Sequence, residues 1–170
     1  MKRITILLAI VGIFSLQGCT TNDTTAYVDN DTISEVFEVN NVSFNSLNAY
    51  SRGVDLVPAI YPSDMVLVYR LSGIFQGQDV WKLLPESYYL PDGTLDFAYH
   101  FDFTMNDVSI YMVGNDLQSV LDQYRSNQTF RIVIIPGYLT NKSVSKVKFT
   151  DYNAVISAYG IDDSKVKVLN

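Results

Sequence analysis

The chain has 170 residues, with 12 Lys and Arg against 18 Asp and Glu, a formal net charge of -6 and a single histidine. Binding a phosphate backbone needs clustered cations, so this acidic balance argues against nucleic acid as a partner. One cysteine excludes an intrachain disulfide and any multi-cysteine zinc site. A content of 48% hydrophobic and 13% aromatic residues argues for a packed core rather than wholesale disorder.

Lys2 and Arg3 open the chain, and residues 4–16 are apolar apart from Thr5, Gly12 and Ser15. That run falls short of the ~20 residues a membrane span requires. It ends at Leu16-Gln17-Gly18-Cys19. A charged start, an apolar run and a small-residue exit make a secretory signal. The segment resembles the signal of bacterial lipoproteins, whose lipobox reads Leu, a variable residue, Gly or Ala, then Cys. Leu16, Gly18 and Cys19 match it, and Gln17 holds the tolerant position. The resemblance implies that residues 1–18 are a signal peptide cut before Cys19. It also implies that Cys19 carries diacylglycerol and that its new amine is acylated, as with palmitate. At about 0.8 kcal/mol per buried CH₂, several acyl chains hold a bilayer far more firmly than one. Cleavage would leave 152 residues with 10 basic and 18 acidic side chains, hence -8. Thr20 stands where Asp would indicate inner-membrane retention in the enteric-type sorting rule, so the address leans toward the outer membrane.

Residues 20–32 (TTNDTTAYVDNDT) are polar and without apolar period, which reads as a flexible tether reaching roughly 40 Å if extended. Residues 33–170 read as one mainly β domain. A strand opens at residues 35–39 and continues toward Phe44. Residues 64–71 (DMVLVYRL) are nearly all apolar, the pattern of a central strand buried on both faces. Further strands are expected over 79–84, 87–90, 95–104, 108–113 and 130–135. Pro91-Asp92-Gly93 and Met105-Asn106-Asp107 supply turns, and Pro136-Gly137 stops the last of these strands. Leu117, Val120, Leu121 and Tyr124 keep a helical rhythm, and so do Tyr152, Val155, Ile156 and Tyr159. For the second set Asp151 is the expected N-cap and Gly160 the C-terminal stop, with Ile161 folding back. Strands first and helices late predict an antiparallel β-sandwich-like domain with one or two short helices, the last near the C-terminus.

Several stretches resemble a family of small uncharacterised bacterial envelope lipoproteins. They are residues 63–71, 80–85, 99–104, 130–138 and 152–156, so the resemblance spans about Val36 to Val168. Some members carry a collagen-like Gly-Pro stalk between anchor and domain, whereas residues 20–32 here contain neither Gly nor Pro. The resemblance implies an envelope address and brings no activity or catalytic position with it.

Little chemistry is legible. His100 is the only histidine, so any Ser-His-Asp or Cys-His catalyst must use it. On a strand, Asp96, His100 and Asp102 share one face, opposite Phe97, Tyr99, Phe101 and Phe103. His100 and Asp102 are therefore the weak candidates for a metal, against the plainer reading of a solvated face. Asp29-Asn30-Asp31 begins like a calcium loop, but Ile33, Ser34 and Asn40 fail its later positions. No dinucleotide fingerprint, Walker loop or G-x-S-x-G elbow occurs, so no cofactor is expected. Flat rings stack on sugars, which makes Trp81, Tyr88, Tyr89 and Tyr138, near turns or strand ends, the candidates for a glycan. Arg70 and Arg131 each stand alone in an apolar strand and require carboxylate or carbonyl partners if buried. The expected protein is a lipid-anchored envelope module without enzymatic activity, joined to the membrane and binding another envelope protein or a glycan. The alternative is a hydrolase or metal-dependent enzyme built around His100.

Overall fold

The computed structural model describes residues 34–140 and 147–169. The expected lipobox with Cys19 and the expected tether over residues 20–32 lie outside them. Among the described residues nine strands form two sheets. In chain order the strands are β1 (Glu35–Val42), β2 (Ser51–Asp55), β3 (Met65–Phe75), β4 (Gln78–Leu83) and β5 (Glu86–Tyr89). Then follow β6 (Leu95–Phe103), β7 (Asp107–Gly114), β8 (Gln128–Ile135) and β9 (Lys167–Leu169). One sheet runs β4-β3-β8-β1-β9 and the other β2-β7-β6-β5. Every pairing is antiparallel except that of β9 with β1. Three short helices join them: α1 (Asp122–Arg125), α2 (Gly137–Thr140) and α3 (Tyr152–Tyr159). The fold is the mainly β, two-sheet arrangement that the strand pattern predicts, with its last helix near the C-terminus.

Side-chain alternation decides the layers. On β3, Val66 and Val68 enter the core between the sheets, while Leu67 and Tyr69 enter a second core on the opposite face. β8 divides likewise, with Phe130, Ile132 and Ile134 between the sheets and Val133 and Ile135 beneath α3. The inter-sheet core closes against Phe97, Tyr99, Val108 and Ile110 of the other sheet. The outer core closes against Tyr152 and Val155 of α3 and against Ile161. The five-stranded sheet is therefore covered on both faces at its centre, which is why β3 and β8 read as almost unbroken apolar runs. Each fully buried Val, Ile or Phe adds about 1.5–3 kcal/mol relative to leaving it exposed.

α3 forms as its punctuation requires. Asp151 Oδ1 accepts from the Ala154 N–H at 3.1 Å. Gly160 adopts φ 64°, and the Ile161 N–H donates back to the Ile156 carbonyl at 3.0 Å. The β3–β4 hairpin turns on Gln76 (φ 51°) and Gly77 (φ 79°), a two-residue loop with both centres left-handed.

The helical rhythm from Leu117 to Tyr124 yields less than it promises. Only the single turn α1 is helical, and Leu121, at its N-cap, is extended (ψ 143°) with its side chain 64% exposed. Val120 is buried, and Leu117 from a turn and Tyr124 from α1 pack on the inter-sheet core within the β7–β8 connection. Three elements carry no sequence signal. β2 has one buried residue, Val54, and is held as an edge by β7. β9 is three residues long and is held by β1 alone. α2 begins at Gly137, whose backbone lies hard against residue 63: an added Cβ would collide with the Ser63 carbonyl oxygen and come within 2.7 Å of the Ser63 Cβ. The Gly137→Ala protein is expected to lose about 1–3 kcal/mol through this overpacking, read as a lower urea midpoint at unchanged slope.

Candidate functional site

Arg70 and Arg131 lie on neighbouring strands, in a register that pairs Arg70 with Phe130 and Tyr69 with Arg131. Directly paired residues point to the same face and successive residues to opposite ones, so the two guanidinium groups leave the sheet on opposite sides. Each organises a polar cluster at the β4 end of the five-stranded sheet, and a groove opens beside each.

The inner cluster lies between the sheets. Arg70 Nε donates to Glu86 Oε2 at 2.8 Å and Nη2 donates to Oε1 at 3.2 Å, a two-pronged contact with a carboxylate from the other sheet. Nη1 donates to Gln128 Oε1 at 3.0 Å and Nη2 to the Tyr88 hydroxyl at 2.7 Å. That hydroxyl donates to Glu86 Oε1 at 2.8 Å, and Lys82 Nζ stands 3.1 Å from the same oxygen. The Gln128 amide donates to the carbonyls of Gln123 and Ser126. Arg70 also lies over the Tyr99 ring, 4.8 Å from its centroid. Burial pushes the Glu86 carboxyl up, but hydrogen bonds and charge from Arg70, joined by Tyr88 and Lys82, outweigh it and hold Glu86 below the usual carboxylate range. Tyr88 is pushed up to about 12 by burial and by its bond to Glu86, against the opposing charge of Arg70. A groove of about 380 Å³ opens here, lined by Arg70, Ser72, Lys82, Tyr88, Gln123 and Tyr124.

The outer cluster lies beneath α3. Arg131 Nε donates to Glu38 Oε2 at 3.1 Å, and Nη1 donates to the Tyr152 hydroxyl at 2.6 Å and to Asp163 Oδ2 at 3.1 Å. The Tyr152 hydroxyl in turn donates to Asp163 at 2.9 Å. The guanidinium carbon sits 4.4 Å from the Trp81 ring centroid and 5.3 Å from that of Tyr152. A second groove, of about 340 Å³, is lined by Gln78, Asp79, Trp81, Arg131, Tyr152, Asn153 and Asp163.

The four ring candidates do not converge. Trp81 lines the outer groove and Tyr88 the inner one, on opposite faces of the sheet. Tyr88 is also stacked on Phe97, with centroids 4.5 Å apart. Tyr89 points out from the other sheet, 65% exposed, and Tyr138 stands on α2 at 44%. His100 stands across from Tyr111 with the rings stacked at 6.0 Å, and Asp102 pairs with Ser109. Among the described residues no three His, Cys, Asp or Glu side chains gather as a metal would require. A smaller apolar cleft of about 220 Å³ opens near the opposite sheet edge, between residues such as Phe37, Leu56, Ile134 and Leu169. Glu35, Asp55 and Lys167 also stand among its lining residues. Among the residues that sequence reasoning left out of any site are Asp79, Lys82, Glu86 and Asp163. The solitary Arg70 and Arg131 were the signal that partners had to exist.

Comparison with protein-family models, curated proteins and solved structures finds no match to this chain.

Removing one member of a buried pair leaves the other charge uncompensated. Glu86→Gln is therefore expected to destabilise the domain by about 3–5 kcal/mol in denaturant melts. Because the folded-state pKa of Glu86 is depressed, its contribution is fully present above the unfolded carboxylate value and is lost as pH falls through the folded value. The gap between parent and variant should accordingly narrow in melts below about pH 4.

Proposed function

We propose that this chain is a lipid-anchored cell-envelope protein, held through Cys19 and addressed to the outer membrane, whose β-sandwich is a non-enzymatic interaction module. The anchor rests on Leu16, Gly18 and Cys19 behind a short apolar run. The observation that supports a binding role is the β4 edge, a strand margin with no partner among the described residues and an aromatic and charged groove on either face. Open concavities that combine rings with a few convergent polar groups are what a recognition surface requires. The partner on this reading is another envelope protein.

A glycan is the second reading, and Trp81 is the observation that favours it. Its indole lines the outer groove together with Asp79, Gln78 and Asn153, which offer acceptors and donors of the kind that sugar hydroxyls use. Tyr89 and Tyr138 stand apart from this groove and add nothing to it.

The full chain should partition into the detergent phase with its N-terminus blocked at Cys19. Cys19→Ser should keep Met1 and carry no acyl chain. A parent protein that floats free of vesicles would sink the anchor. Affinity capture of the parent from detergent-solubilised membranes, read by mass spectrometry, should return a companion protein, and recovery of the bait alone would count against the module. On a glycan array the second reading expects binding that Trp81→Ala reduces at least tenfold.

A further inference from the structure

Four strands end the two sheets, β4 and β9 in one and β2 and β5 in the other, and β4 with six residues is the longest. The Leu84 N–H donates to the Val68 carbonyl at 2.9 Å. Arg70 and Lys82 pair two residues further along in the same register. Antiparallel ladders alternate, so Lys82 turns its backbone groups to β3, whereas Trp81 and Leu83 turn their N–H and C=O outward. Among the described residues no strand lies on that side. This is a ready template for another strand.

The grooves on the two faces differ in charge. The inner groove presents Arg70 and Lys82, and Glu86 answers only part of that charge. Lys82 is 53% exposed and accessible from solvent. The outer groove presents Asp79 and Asp163, with Glu38 behind them, against Arg131, the single cation among its described lining residues, and its wall is the Trp81 ring. An incoming strand sends successive side chains to opposite faces. A residue entering the inner groove and one entering the outer groove are therefore neighbours in the ligand.

We propose that β4 accepts an extended peptide segment as an added strand, one that carries an acidic residue beside a basic one. Its backbone bonds Trp81 and Leu83. Its carboxylate enters the groove of Lys82, Tyr88 and Tyr124, and its cation enters the groove of Asp79, Trp81 and Asp163. Main-chain pairing of this kind supplies affinity, and the alternating pockets supply selectivity. The inference rests on the reading of the domain as an interaction module and names the chemistry of its partner.

The test selects a random decapeptide library on the full chain in detergent micelles. Enriched peptides should carry adjacent acidic and basic residues. Asp79→Lys, a change at an exposed position, should abolish the preference for the basic member, and Lys82→Glu should abolish that for the acidic one. A selected peptide N-methylated at the residues facing Trp81 and Leu83 should bind at least tenfold more weakly, while methylation at the alternate residues should leave binding unchanged. Absence of enrichment, enrichment without adjacent opposite charges, or indifference to both the Asp79→Lys substitution and the N-methyl scan would overturn the proposal. A membrane companion captured equally by parent, Asp79→Lys and Lys82→Glu would overturn the edge site and keep the interaction module. Failure of anchoring at Cys19 would leave the edge site intact.

Discussion

A sheet covered on both faces cannot hold an unanswered charge, and this sheet holds two. Arg70 and Arg131 rise from adjacent central strands into opposite cores, with side chains only 6% and 13% exposed. Desolvating a guanidinium without partners would cost more than the marginal stability of a small domain allows. Each is answered by at least one carboxylate from a different layer. Glu86 comes from the four-stranded sheet, so Arg70 fastens sheet to sheet. Glu38 comes from the neighbouring strand β1, but Tyr152 and Asp163 come from the helical layer, so Arg131 fastens that layer to the sheet. Apolar burial supplies the bulk of the driving force and is indifferent to small slips. The two-pronged Arg70–Glu86 contact is directional and tolerates one arrangement of the layers.

The location of the candidate site follows from this. Layers that are tied together near an edge leave shallow grooves where the tie meets solvent, and both ties sit beside β4. The side chains that line the grooves are thus held by the same bonds that hold the fold. Trp81 is fixed between Arg131 and Tyr152, and Tyr88 between Arg70, Glu86 and Phe97. Such surfaces are preorganised: a ligand that meets them loses little in ordering the protein. Coupling runs the other way too, since a ligand drawing on Arg70 or Arg131 would compete with the contacts that hold the layers.

Much of the strand set was legible because local physics writes it. Residues 64–71 are apolar on both faces since β3 is central, and β3 forms there. Asp151, Gly160 and Ile161 mark the ends of α3 through backbone groups within a few residues of one another, and each takes the expected part. Leu117, Val120 and Tyr124 kept a helical rhythm for another reason. A connection crossing the end of the sandwich must also place apolar groups at intervals, and turns with one helical turn do so as well. β2 and β9 were silent because an edge strand with one buried face, or of three residues, takes its conformation from its neighbour.

What the sequence determined by itself is short-range: an acidic balance, one histidine and one cysteine, strands where alternation or doubled burial demands them, and a capped helix. It also announced that two arginines needed company. Tertiary structure alone decided who keeps it. Arg70 finds Glu86 at a separation of 16 residues, and Arg131 finds Asp163 at 32 and Glu38 at 93. Register, strand order and layer stacking set those meetings, and none of them is encoded within the reach of a turn. The same holds for the grooves: Trp81 and Tyr88 look like one aromatic set along the chain, yet the strand–corner–strand path puts them on opposite faces of the β4 edge.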